Sequence, residues 1–330
     1  MKKIGLVLAG GGGRGAYHIG VWKALRETGL DKNVTAISGT SVGGLNAALF
    51  LQGDFEKAVH IWENISVEKI LTPKHGFGRE MHQVSGYDMK KNHGIYLYSR
   101  SGLTEIIRNN LDMSVFDNSN KNCYMTCRGM KTKNGKVVDS YMEPFPQPDG
   151  TKLYRKYING KATYFKMRDF SLEERENILL ATSAMPFIFP KEKIEGYDYM
   201  DGGAIDNLPV EPLYRLENCE IIVVVHLTTN KMLLEIKKED FPNAVILEIR
   251  PKHEQGGFFA GTLDFKAENA KRRIRQGYDD NIVMFQNIQE MIVGEKASET
   301  KWRIGIWKES LARIKVEIEN HEIEKMMQDI

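Results

Sequence analysis

Cysteine is scarce: Cys123, Cys127 and Cys219 are the three in 330 residues. An odd number without ligand-like spacing excludes a disulfide framework and a cysteine zinc site. The expectation is reduced thiols in a cytoplasmic protein. Net charge is nearly absent, +2 from 46 basic and 44 acidic residues, so nothing draws the chain towards nucleic acid. No apolar run approaches the roughly 20 residues of a membrane span. The histidines at His75, His82 and His93 lack the i, i+4 pairing of a metal helix. They read as solvated residues of a polar loop, Thr72 to Gly94, with a lid as the other reading of that stretch. No metal and no cofactor are expected. Met1-Lys2-Lys3 leads directly into an apolar strand and a glycine turn. Reading this start as a signal peptide would remove the turn, so no leader is expected.

What is present begins with that turn. Ile4 to Leu8 forms a short apolar strand, followed by Gly10, Gly11, Gly12, Gly13, Arg14 and Gly15, then a helix with apolar residues near the 3.6 period. A second strand from Val34 ends in Gly39-Thr40-Ser41-Val42-Gly43, and an alanine-rich helix starts at once. A serine at the tip of a sharp strand-to-helix turn is exposed for attack, and the turn needs small residues two before and two after it, here Gly39 and Gly43. The positive end of the following helix favours developing negative charge. Consecutive glycines let backbone N–H groups approach a substrate closely, and such groups aimed at an oxyanion contribute strongly to acyl transfer. The two turns lie on neighbouring strands, one suited to an oxyanion hole and one to a nucleophile.

Gly10, Gly12 and Gly15 also satisfy the dinucleotide pattern G-x-G-x-x-G. That fold expects an acidic residue at the end of the second strand, where this chain has Ser38-Gly39-Thr40-Ser41, and Arg14-Gly15-Ala16 does not supply a P-loop lysine. With these residues in view, the chain resembles the patatin-like phospholipase family. Gly10 to Gly15 matches its G-G-G-x-R/K-G block, Gly39 to Gly43 its G-x-S-x-G block, and Asp201-Gly202-Gly203 its Asp-Gly-Gly block. Ala181 to Pro190 resembles its proline-containing loop. The resemblance covers roughly residues 4 to 215 and implies a three-layer α/β/α fold with a mainly parallel central sheet. It also implies a Ser–Asp dyad, Ser41 with Asp201, hydrolysing fatty acyl esters. Gly11, Gly12, Gly13 and Arg14 would form or brace the oxyanion hole, supported by Gly10, Gly15, Gly39, Gly43, Gly202 and Gly203. Two other readings stand beside it: a Ser-His-Asp esterase using His226 or His253, and a lipid- or acyl-binding module without turnover. A lipid or acyl ester is the expected partner, nucleic acid is not, and transient contact with a membrane surface and self-association stay open.

Elsewhere the patterns are local. Asn134-Gly135 and Asn159-Gly160 signal hairpins, and Glu143 to Gly150 is proline-rich and reads as a turn or exposed loop. Ser171 with Glu174 fits a capping box. Phe187-Ile188-Phe189 reads equally as core or as the wall of an acyl pocket. Cys219 to Leu227 and Ala244 to Pro251 are apolar runs suited to buried parallel strands. For Phe258 and Phe259, in a glycine-rich loop, core packing is the expectation, with membrane or substrate contact as the alternative. A single long helix is expected from about Lys266 through Ile288. A tail stripe of Ile304, Trp307, Leu311, Ile314 and Ile318 predicts an amphipathic helix packed on the domain. The expected division is 1–290, an acyl hydrolase domain, and 291–330, a C-terminal helical extension.

Overall fold

The computed structural model describes residues 3–73, 98–129, 142–146, 152–159, 162–229 and 236–298. The histidine-bearing stretch around His75, His82 and His93, the Asn134-Gly135 turn and the tail from Lys301 lie outside the described residues. The sheet begins with the two apolar strands of the sequence, β1 (Ile4–Leu8) and β2 (Val34–Thr40), joined by α1 (Ala16–Glu27). They pair in parallel, Leu8 opposite Gly39, so both glycine-containing turns emerge at the same sheet edge. On the other side of β1 lie β11 (Ile221–Val225) and then β12 (Val245–Ile249), also parallel. The unbroken apolar sequence of β11 reflects burial at every position.

Helices flank both faces. Leu6 and Leu8 face Ile19 and Trp22 of α1. On the opposite face, a Cβ on Gly5 would meet Leu213 of α8 (Glu211–Arg215) at 2.9 Å. The strand order is β12-β11-β1-β2-β5-β8-β7-β6, where β5 is Asn122–Gly129, β6 Met142–Pro146, β7 Lys152–Asn159 and β8 Ala162–Lys166. The half from β12 to β5 is parallel and the half from β5 to β6 is antiparallel. The expected parallel sheet is therefore extended by hairpins, one of them closing with Asn159 opposite Ala162 as its Asn-Gly signal predicts.

Two expectations are corrected. Met142–Pro146, part of the presumed proline-rich loop, is a strand. It is the edge strand, where Pro144 and Pro146 need not donate to a further neighbour. The long helix from Lys266 is two helices, α9 (Ala267–Asp279) and α10 (Ile282–Ser298). Tyr17 of α1 pins the break: its hydroxyl donates to Asp280 Oδ2 at 3.1 Å and accepts from Asn281 Nδ2 at 3.0 Å. Helices α1 and α9 cross backbone to backbone, since a Cβ on Gly20 would lie 1.9 Å from Ile274 O. Four further elements complete the frame near the site: α2 (Val42–Gln52), α7 (Leu172–Thr182) and the strand pair β9 (Glu192–Ile194) and β10 (Tyr197–Asp201). The Ser171–Glu174 capping box is formed as expected at the start of α7.

Candidate active site

Strand pairing on β5 brings the site together. Strand β2 runs along one edge of β5 until Thr40 faces Thr126, where the chain turns away. Strand β10 enters that same edge head-on, antiparallel, with Asp201 facing Cys127, the next residue of β5. Asp201 therefore follows directly where Ser41 leaves the sheet. Ser41 has φ 56° and ψ −127°, a conformation that costs a non-glycine residue about 1–3 kcal/mol. The surroundings hold it there. Its N–H donates to Thr182 Oγ1 at 3.0 Å, and that hydroxyl donates to Thr126 O at 2.6 Å. Its carbonyl accepts from Gly44 N–H at 2.9 Å, opening α2. The small residues around it are required by space: a Cβ on Gly43 would lie 2.0 Å from Leu8 O, and one on Gly39 2.4 Å from Gly43.

Ser41 is 9% exposed and Asp201 6%. The Ser41 side chain acts on the Asp201 carboxyl and holds its pKa down, and Gly203 N–H donates to Asp201 Oδ1 at 2.7 Å. Burial raises the Asp201 carboxyl to about 6, against the opposing effects of Ser41, of the Gly203 bond and of the Arg100 charge. Arg100 is itself buried and ion-paired with Glu192 at 2.9 Å. Gly202 packs on the backbone of Thr126.

The glycine turn stands over the serine. Gly10 is clamped by Asn207, which accepts from its N–H at 3.0 Å and donates from Nδ2 to its carbonyl at 3.2 Å. Gly12, at φ 57°, faces Thr262 so closely that a Cβ would lie 2.0 Å from its carbonyl oxygen. Among the described residues, nothing accepts from the N–H groups of Gly11, Gly12 or Gly13. Arg273 braces the turn from behind. This buried arginine donates to Gly13 O, Asp264 O, Gln255 O and Ala260 O, and pairs with Asp264 Oδ2 at 3.0 Å. Arg14 is half-buried against Gly261, its Nε without a partner among the described residues, and burial lowers its pKa. Gly15 packs on Val42 and Trp62, and its carbonyl accepts from Asn46 Nδ2 at 2.9 Å.

The histidines stand apart. His226 follows β11, beyond β1 from the serine, and its Nε2 bonds Glu248 of β12 at 3.0 Å. His253 is exposed. Neither has a hydrogen bond to Ser41 or Asp201 among the described residues. Beside Ser41 and Gly12 lies an apolar cavity of about 100 Å³, walled by Leu45, Ile61, Ile107, Met185, Phe189 and Phe265 among others. Of the Phe187–Phe189 triplet, only Phe189 lines it; Ile188 is core and Phe187 is exposed. No group of side chains suited to a metal ion occurs among the described residues, and no described helix is long and apolar enough to cross a membrane. All three cysteines are free and buried.

Sequence reasoning did not single out Thr182, Asn207, Arg100 or Arg273. Thr182 and Asn207 fall inside or just after the matched blocks, a signal that could have drawn attention to them. Arg273 sits in a run of basic residues with nothing to set it apart.

The model of the patatin-like phospholipase family matches residues 6–214. Lysophospholipase NTE1 of Coccidioides immitis and neuropathy target esterase sws of Drosophila melanogaster are each 53% identical over 49 residues, 15% of this chain. The matched segment spans only 3% of the length of either relative. Among solved structures, human GIVD cytosolic phospholipase A2 shares the fold at a TM-score of 0.50 and 10% identity, over 88% of this chain and 59% of that one.

Proposed function

The chain belongs to the patatin-like phospholipase family, and from that premise we propose that it is a serine lipid acyl hydrolase working through a Ser41–Asp201 dyad. Family membership supports lipid acyl hydrolysis; the roles of individual residues are our reading. The observation that carries it is the strand succession on β5, which puts the buried Asp201 where Ser41 leaves the sheet at a strained elbow. In the first step Ser41 Oγ attacks the ester carbonyl carbon and its proton passes to the Asp201 carboxylate. The tetrahedral oxyanion collapses, the C–O bond to the alcohol breaks, and the alcohol leaves with the proton from Asp201. Water then attacks the acyl-enzyme, giving its proton to Asp201. Ser41 Oγ takes that proton back as the fatty acid departs. An ordinary aspartate is a weak base, and burial that raises its pKa to about 6 brings it nearer working pH while leaving it ionised at neutrality.

The N–H of Ser41 is engaged by Thr182, so oxyanion donors come instead from Gly11, Gly12 and Gly13, whose N–H groups are free among the described residues. Arg14 offsets charge near this turn. The apolar lining of the cavity suits an acyl chain better than a polar group. The proposal includes cytoplasmic residence peripheral to a membrane and the division of the chain into 1–290 and 291–330.

The test is labelling by a fluorophosphonate, which reports an activated serine without assuming the natural ester. Wild type should label, Ser41→Ala should not, and Asp201→Asn should label far more slowly. A folded wild type that resists labelling favours an acyl-binding module. Loss of labelling in folded His226→Ala would replace the dyad by a histidine triad.

A further inference from the structure

Behind the glycine turn the chain makes a single π-helical turn, Phe258–Thr262, flanked by Gly256 and Gly257. Core packing is the ordinary fate of adjacent phenylalanines, yet Phe259 is 81% exposed and Phe258 49%. Their rings meet edge to face at 5.3 Å. This turn and the glycine turn form one unit. Thr262 O abuts Gly12 and Asp264 O abuts Gly13, and Arg273 ties Gly13 O to Ala260 O and Gln255 O. Gly12 also lines the apolar cavity beside Ser41. The exposed rings are therefore fixed to the wall of the cavity through which an acyl chain would enter. A third exposed ring, Phe187 at 62%, stands on the loop whose Met185 and Phe189 line the same cavity.

Charge identifies the partner. The exposed charged residues of 250–275 are Lys252, Lys266, Lys271, Arg272 and Arg275 against Glu254 and Glu268, whereas the whole chain is only +2. Two protruding apolar rings are carried on this basic segment. They match a bilayer, whose interface accepts aromatic rings and whose anionic headgroups attract basic residues.

We propose that Phe258 and Phe259 form a docking element for an anionic lipid surface, holding the mouth of the Ser41 cavity against the membrane from which substrate is drawn. The inference rests on the acyl hydrolase reading for its purpose, but binding can be tested without turnover. Sedimentation with vesicles of mixed phosphatidylglycerol and phosphatidylcholine compares Ser41→Ala with Ser41→Ala/Phe258→Ser/Phe259→Ser, so that lipid is not consumed. Loss of the two rings that would insert into the bilayer should weaken binding about tenfold or more, and vesicles of phosphatidylcholine alone should bind Ser41→Ala less well. In the Ser41 background, Phe258→Ser/Phe259→Ser should hydrolyse vesicle lipid slowly but a monomeric water-soluble ester at the wild-type rate.

Unchanged vesicle binding overturns the proposal. So does an equal loss on the soluble ester, which would make the turn a brace for the glycines. A wild-type dimer dissolved by the double substitution would mean that the rings face a second copy. If no ester is hydrolysed but vesicle binding still depends on the rings, docking stands and the catalytic reading falls.

Discussion

Burying the Asp201 carboxylate makes the site stronger as a base and the protein weaker as a fold, and Asp201→Asn separates the two. The ordinary carboxyl titrates at 3.8 and this one at about 6. The folded state therefore holds a proton that the unfolded chain has already released between those values. Stability contributed by this group is full below pH 3.8 and is lost as pH rises to about 6. At roughly 1.4 kcal/mol for each tenfold change in proton affinity, the buried charge costs about 3 kcal/mol above pH 6. An asparagine can keep the geometry: its Oδ1 can still accept from Gly203 N–H, and its Nδ2 can donate to Ser41 Oγ. The variant should be inactive yet more stable than wild type by about 2–3 kcal/mol at pH 7.5. That advantage should shrink steadily on acidification from pH 6 to pH 4. Urea unfolding followed by tryptophan fluorescence, at several pH values for both proteins, reads this directly. Parallel stability curves for the two proteins, or an asparagine variant less stable at pH 7.5, would refute a raised Asp201 pKa.

Turnover should follow the same group. On a soluble ester, kcat/KM should climb about tenfold per pH unit below pH 6 and level off above it, and a flat profile from pH 5 to 7 would rule out Asp201 as the base. Thr182→Val leaves the Ser41 N–H and Thr126 O buried without their partner, at a cost of about 1–3 kcal/mol for each. Its kcat should fall more than KM changes, while Thr182→Ser retains both bonds and wild-type kinetics; identical behaviour of the two variants would show that the hydroxyl does not hold the elbow. Gly43→Ala puts a methyl 2.0 Å from Leu8 O and should destabilise the fold by about 3 kcal/mol or more. A Tm within a degree or so of wild type would mean that the elbow has room which these contacts deny.

Much of the site was legible because its parts are local. Glycines at fixed offsets from Ser41, consecutive glycines after β1 and the Asp201-Gly202-Gly203 block each state a backbone requirement within a few residues. The apolar run of β11 announces burial on both faces, and Ser171 with Glu174 announces a helix start. These features determined the family, the parallel half of the sheet and the residues expected to react.

Only the tertiary structure decided how distant segments meet. That Asp201 abuts Ser41 follows from β10 taking over the edge of β5 where β2 leaves it, and no spacing in the chain encodes that succession. Thr182, Asn207 and Arg273 act on the two turns across long stretches of sequence, through hydrogen bonds that exist only once the sheet and α9 are assembled. The prolines of Met142–Pro146 suggest a loop until the strand proves to be at an edge, and the break after Asp279 is set by Tyr17 on another helix. Phe258 and Phe259 carry the composition of core, yet they stand exposed on a turn whose backbone packs on the glycine turn at Gly261 to Asp264. Local sequence fixes backbone conformation through steric limits between near neighbours. Burial and pairing depend on which other segment occupies the adjoining space, a property of the whole chain at once.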